Sequence, residues 1–163
     1  MPRLTGMHRL AVLAAVSALL AGCQSEQECT LLAARAGVGL EVEAPLAARA
    51  ETVSMQVCWD GSCTPVAAGL ERSSKMASAT CSGDTCSATG VRTADKHGFG
   101  EVKGLPKRPV RIRLKLLGAG SDPVLDRTVE VTPRGSFPNG PGCGEGGPST
   151  SLIVSGDGVV RER

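Results

Sequence analysis

Aromatic residues are almost missing from this 163-residue chain, which has one Trp, two Phe and no Tyr. Any core must therefore be aliphatic. Histidine is as scarce, with His8 and His97 only. One imidazole outside the N-terminal region cannot supply a His-rich metal centre, and neither G-x-S-x-G nor H-E-x-x-H occurs to suggest a hydrolase. No C-x-x-C occurs either, which speaks against thioredoxin-type redox chemistry. No apolar run is long enough for a permanent membrane span. The longest candidate, "LAVLAAVSALL", has eleven residues and would rise only about 16 Å as a helix, roughly half of a hydrocarbon core.

What that run does resemble is a secretory signal. "MPRLTGMHR" before it carries Arg3, Arg9 and His8 and no acid, and Ala21-Gly22 follows it. A basic n-region, a short h-region and small residues before a cut predict a cleaved segment over 1–22. Leu20-Ala21-Gly22-Cys23 resembles the bacterial lipobox. That resemblance implies diacylglycerylation of the Cys23 thiol, which becomes the first residue of the mature chain. One acyl chain anchors marginally, whereas two give a stable tether. The expected location is the outer face of the cytoplasmic membrane, with residues 23–28 as a lipidated tether and 29–163 as one domain. An ordinary signal peptide with a chance cysteine is the plainer alternative.

Loss of 1–22 removes two cations and no acid, so 18 basic against 16 acidic residues becomes formal neutrality. That balance argues against a general nucleic-acid binder. With Cys23 acylated, six cysteines remain: Cys29, Cys58, Cys63, Cys81, Cys86 and Cys143. An even number in an exported chain predicts three disulfides, for which the sequence allows fifteen pairings. "CWDGSC" and "CSGDTC" each enclose a turn-favouring Asp-Gly or Gly-Asp with Ser or Thr. If Cys58–Cys63 and Cys81–Cys86 close these small loops, Cys29–Cys143 joins the two ends. In the chain-entropy model a six-residue loop is worth about 2 kcal/mol and a loop of about 115 residues nearer 5. The alternative is a zinc site or envelope enzyme built on Cys58, Cys63, Cys81 and Cys86, although these C-x4-C spacings are wider than usual.

Strands dominate the expected fold. "VGLEV" and "TVSMQVC" alternate apolar and polar residues, and the latter forms a hairpin with "CTPVA". In "PVRIRLKLLG", Val110, Ile112, Leu114 and Leu116 share one face, and Arg111, Arg113 and Lys115 the other. "VLDRTVEVTP" reads as its antiparallel neighbour, and "TSLIVSGDGVVRER" as a strand, an Asp-Gly turn and a short last strand. Residues 71–98 have few large apolar anchors and read as loops with one short strand near 86–91. "CTLLAARAG" admits a helical turn or two before Gly37. "RGSFPNGPGCGEGGPS" carries too much Gly and Pro for a regular element. Its literal G-x-G-x-x-G, Gly142 to Gly147, lacks the strand and helix a nucleotide site requires. Together these features predict an all-β antiparallel sandwich, immunoglobulin-like or transthyretin-like, of seven to nine short disulfide-stapled strands.

Two resemblances add to this reading. "DKHGFGEVKGLPKRPVRIRL", residues 95–114, is similar to a run in carboxypeptidase-regulatory-like and transthyretin-like sandwich modules. There a Leu-Pro corner joins two strands that lie antiparallel. The lipobox, "VCWDGSC", "GLPKRPVRIRL", "TPRGSFPNGPGCGEGGP" and "SLIVSGDGVV" together resemble small exported actinobacterial lipoproteins. That group implies an envelope location and a β-sandwich, and supplies no activity. No catalytic residue, cofactor or metal is expected. The candidate contact surface is the basic stripe Lys103, Lys107, Arg108, Arg111, Arg113 and Lys115. It would meet an anionic lipid or envelope polymer at roughly 1 kcal/mol per cation, or another envelope protein. The plainer reading is a solvated strand face paired with Asp126 and Glu130.

Overall fold

A computed structural model describes residues 29–163, so the signal segment 1–22 and the whole tether 23–28, Cys23 included, lie outside the described residues. Leu31–Arg163 forms one unit. It contains β1 (Gly37–Val42), α1 (Leu46–Arg49), β2 (Thr52–Trp59), β3 (Ser62–Val66), β4 (Glu71–Ser82) and β5 (Thr85–Glu101). These are followed by β6 (Val110–Leu117), β7 (Pro123–Val131), β8 (Ser149–Val154) and β9 (Val160–Glu162). The nine strands make two sheets, ordered β4-β5-β1-β8-β9 and β3-β2-β6-β7.

Strand alternation builds the interior. Val38, Leu40 and Val42 from β1 and Leu152 and Val154 from β8 face inward from the first sheet. Met55 and Val57 from β2 and Val110, Ile112, Leu114 and Leu116 from β6 meet them from the second, in one buried cluster. The core is aliphatic, as the shortage of aromatics requires. The fold is the expected all-β sandwich, with one departure in pairing: β1 and β8 run parallel. Parallel neighbours need a long crossover, and the whole chain from β2 to β7 supplies it.

Residues 71–98 overturn the expectation of loops. β4 has 12 residues and β5 has 17, paired antiparallel over most of their length. The outer part of this pair, 74–82 against 85–92, pairs with no third strand among the described residues and is exposed on both faces. A ribbon with no buried face needs no apolar alternation, so its Ser, Thr and Ala residues carry no periodic signal. Residues 29–36 are likewise not helical. Residues 31–36 run as a strap beside the glycine-rich loop. The Leu32 N–H donates to Asn139 Oδ1 at 3.0 Å and Asn139 Nδ2 donates to the Leu32 carbonyl at 2.9 Å. The Gly147 N–H donates to the Ala34 carbonyl at 3.1 Å. A side chain at Gly146 would come within 2.3 Å of Ala34 Cβ, and one at Gly147 within 2.7 Å of the Ala36 nitrogen. Close passage of this strap accounts for Gly147, the last glycine of the literal G-x-G-x-x-G, whereas Gly144 has a positive φ and open space around it.

β5 and β6 belong to different sheets, so the Leu105-Pro106 corner carries the chain across the sandwich. Buried Val102 and Leu105 pin the crossing.

Candidate functional site

Cysteine chemistry is settled locally by hairpin geometry. Cys58 and Cys63 stand opposite each other in the β2–β3 register, and Cys81 and Cys86 do so in β4–β5. Both pairs form disulfides with Cα atoms 4.0 Å apart. The loops between are two residues long, as hairpin twist prefers. Asp60 and Gly61 both have positive φ, whereas the second hairpin has it at Gly83 alone. These are the primed turns expected of Asp-Gly and Gly-Asp. Because the two disulfides lie in different sheets and consume all four sulfurs, the fold makes no four-thiolate zinc site from them. Cys29 and Cys143 are also disulfide-bonded.

His97 lies on β5, not in a turn, and is exposed. Its Nδ1 is 3.2 Å from Ser73 Oγ. Among the described residues no carboxylate hydrogen-bonds this ring, and none of the clefts described below includes it. Nucleophilic catalysis by a serine needs an oriented base and a place for the reacting carbonyl. Here a hydroxyl and an imidazole simply share an exposed sheet face.

The predicted basic stripe is divided by the fold. Lys103, Lys107 and Arg108 lie in the connection between β5 and β6, while Arg111, Arg113 and Lys115 alternate along the outer face of β6. Four of the six cations have carboxylate partners. Lys107 Nζ meets Glu145 at 2.5 Å, and Arg108 pairs with Asp60 in the β2–β3 turn. Asp126 on β7 accepts two bonds from Arg113, at 3.1 and 3.3 Å, and lies 3.2 Å from Lys115 Nζ. The Arg113 hydrogen bond is the main cause that holds the Asp126 carboxyl below the usual carboxylate range, and the same bond raises the guanidinium. Glu130 stands opposite Arg111 in the register, but no ion pair within 4 Å joins them among the described residues. Lys103 and Arg111 are the unpaired members of the six.

What the three β6 cations do share, with Arg127 of β7, is a groove. The outer face of the four-stranded sheet carries two clefts of about 160 and 360 Å³, and a third of about 290 Å³ adjoins them at the sheet's end, where the core-facing Trp59 and Val110 help to line it. The first and second share Gln56 and Arg113, and the second and third share Cys58, Cys63 and Arg111. Trp59, the only tryptophan, lines the third cleft with Asp60 and Glu130. Strand alternation puts Ser54, Gln56 and Cys58 in rows with Lys115, Arg113 and Arg111. From 54 to 59 the groove runs roughly 17 Å at the antiparallel rise. Sequence reading found its cations from their period of two. It missed Gln56, Thr128 and Trp59, because membership depends on cross-strand register.

No family model, curated protein or solved structure matches this chain. Among the described residues, no helix is long and apolar enough to cross a membrane.

Proposed function

We propose that this chain is a lipid-anchored protein of the cell envelope whose β-sandwich acts as a non-catalytic binding module. The observation that carries the reading is the state of its cysteines. All six in the described region are disulfide-bonded, which suits an oxidising, exported compartment. Cys23 is the one cysteine left over, and it stands at the lipobox position after a signal-like segment. The same reading pairs Cys29 with Cys143, supported by the hydrogen bonds that tie Leu32 to Asn139. The tether 23–28 then holds the sandwich close to the outer face of the cytoplasmic membrane. A binding role suits a domain whose clefts are lined by charged and polar side chains.

The test is Cys23→Ala in the exporting host. Wild-type protein should partition with membranes through a high-salt wash, and the variant should be released. Membrane retention of the variant after that wash would defeat the anchor assignment.

A further inference from the structure

Six large apolar side chains are exposed among the described residues, and three of them stand apart. Met76 and Val91 occupy adjacent cross-strand pairs of the ribbon and so point to opposite faces, and Val159 sits between β8 and β9. Isolated exposures of that kind are ordinary. Leu31, Leu32 and Phe137 differ, being fully, 61% and 49% exposed and gathered at one end. The Asn139 amide that clamps both backbone groups of Leu32 belongs to the turn 137–140. A 3.0 Å bond from the Gly140 N–H to the Phe137 carbonyl closes that turn.

This end is built for a surface less wet than bulk solvent. Residues 30–34 and 135–144 carry no charge. The next residues inward along the two segments are Arg35 and Arg134, and Glu145 is held by Lys107. Asn139 already satisfies the Leu32 N–H and carbonyl, and the Gly140 and Cys143 N–H groups bond carbonyls of their own loop. Unpaired backbone groups are what lipid penalises most, whereas arginines suit the phosphates of lipid headgroups. Chain connectivity supplies the occupant. Leu31 follows Cys23 by eight residues, a span of at most about 29 Å. If Cys23 is acylated, no part of the domain is held nearer to the bilayer by the chain.

We infer that Leu31, Leu32 and Phe137 seat in the outer interface of the bilayer beside the acyl anchor and fix the sandwich's orientation on it. The inference rests on the envelope reading and names the lipid surface as a partner of the folded domain. Three side chains are too few to hold the protein alone, but the anchor raises their local concentration at the surface.

The mature protein carrying Phe137→Trp is purified from the exporting host, and its intact mass is checked for a diacylglyceryl group. It is then reconstituted into phosphatidylcholine vesicles with plain or brominated acyl chains. The emission added to that of Trp59 should be blue-shifted, quenched by the brominated lipid, and unchanged by high salt. In this background Leu31→Asn and Leu32→Asn should each lower the docked-to-free ratio about tenfold with the thermal midpoint unchanged. Added emission that stays red and unquenched overturns the inference, as do leucine variants that quench like their parent. A blue shift without quenching means that protein, such as a second copy, covers this end, and it also overturns it. So does quenching that needs phosphatidylglycerol and disappears in salt, because charge rather than the apolar end would then be docking. A lipidated mass with no quenching sinks only this inference; an unlipidated mass sinks the envelope reading and this one with it.

Discussion

The two disulfide-closed hairpins use the same spacing in opposite settings. The β2–β3 hairpin belongs to the sandwich: Met55, Val57 and Val66 face the core, and Cys58–Cys63 closes its tip beside the groove. The outer β4–β5 hairpin belongs to no core. Met76 is 69% exposed and Val91 40%, and the largest cross-strand link besides the backbone is Cys81–Cys86. A two-stranded ribbon without a buried face is marginal in water, so the covalent closure matters most to local order there. The ribbon also manages its unpaired edge. β4 is the outermost strand, and it carries register breaks between Arg72 and Ser74 and between Met76 and Ser78, with Lys75 between them. Bulges and a charge are how exposed edges resist pairing with other chains. Identical cysteine spacing therefore does two jobs, and packing decides which.

That contrast breaks most clearly at the core. Ile112 is fully buried at the centre of β6, so Ile112→Ala should cost about 2–5 kcal/mol in denaturant unfolding. Met76→Ala on the ribbon should stay within about 0.5 kcal/mol. Comparable losses at both sites would mean that the ribbon is packed against something in solution.

The paired disulfide variants sharpen it further. Cys58→Ser with Cys63→Ser should lower global stability by about 2 kcal/mol, the chain-entropy value for a six-residue loop. Cys81→Ser with Cys86→Ser should barely move global unfolding, while speeding amide exchange over 74–92, because opening the ribbon does not require opening the sandwich. Equal shifts in global midpoint for the two double variants would show the ribbon to be part of the cooperative unit.

The smallest expected effect lies in the groove's ion network. The folded-state value of Asp126 is lowered, so any stabilisation it gives is present above the unfolded carboxyl value and is lost as pH falls through the lower folded one. Its carboxyl resonance should titrate below those of unpaired exposed aspartates, and Arg113→Ala should move it back up. Comparing that variant with wild type by NMR separates this network from general acid unfolding. An unchanged Asp126 midpoint in Arg113→Ala would remove Arg113 as the cause.

Much of the sandwich was legible because a strand with one buried face writes its burial into a period of two. Val110, Ile112, Leu114 and Leu116 show it most plainly, and their polar alternates correctly placed Arg111, Arg113 and Lys115 on the outside. The ribbon was illegible for the complementary reason: with both faces wet, nothing selects apolar residues at alternate positions. The groove was half legible. Its β6 cations declared themselves, but Asp126 neutralises two of them only because β7 pairs with β6 in a register that sets Lys115 against Asp126 and Arg113 against Thr128. No local pattern encodes that register.

By itself, then, the chain's sequence determined an aliphatic core, two tight turns closed by C-x4-C, and an alternating strand at β6, since each depends on neighbours within a few residues. The tertiary structure decided what those pieces face. It set β1 parallel to β8, sent Leu105-Pro106 from one sheet to the other, laid the 31–36 strap against Gly146 and Gly147, and brought Asp126 on β7 against Arg113 and Lys115 of β6. Those outcomes follow from burying two sheets against each other, a condition on residues far apart in the chain that no short stretch can satisfy alone.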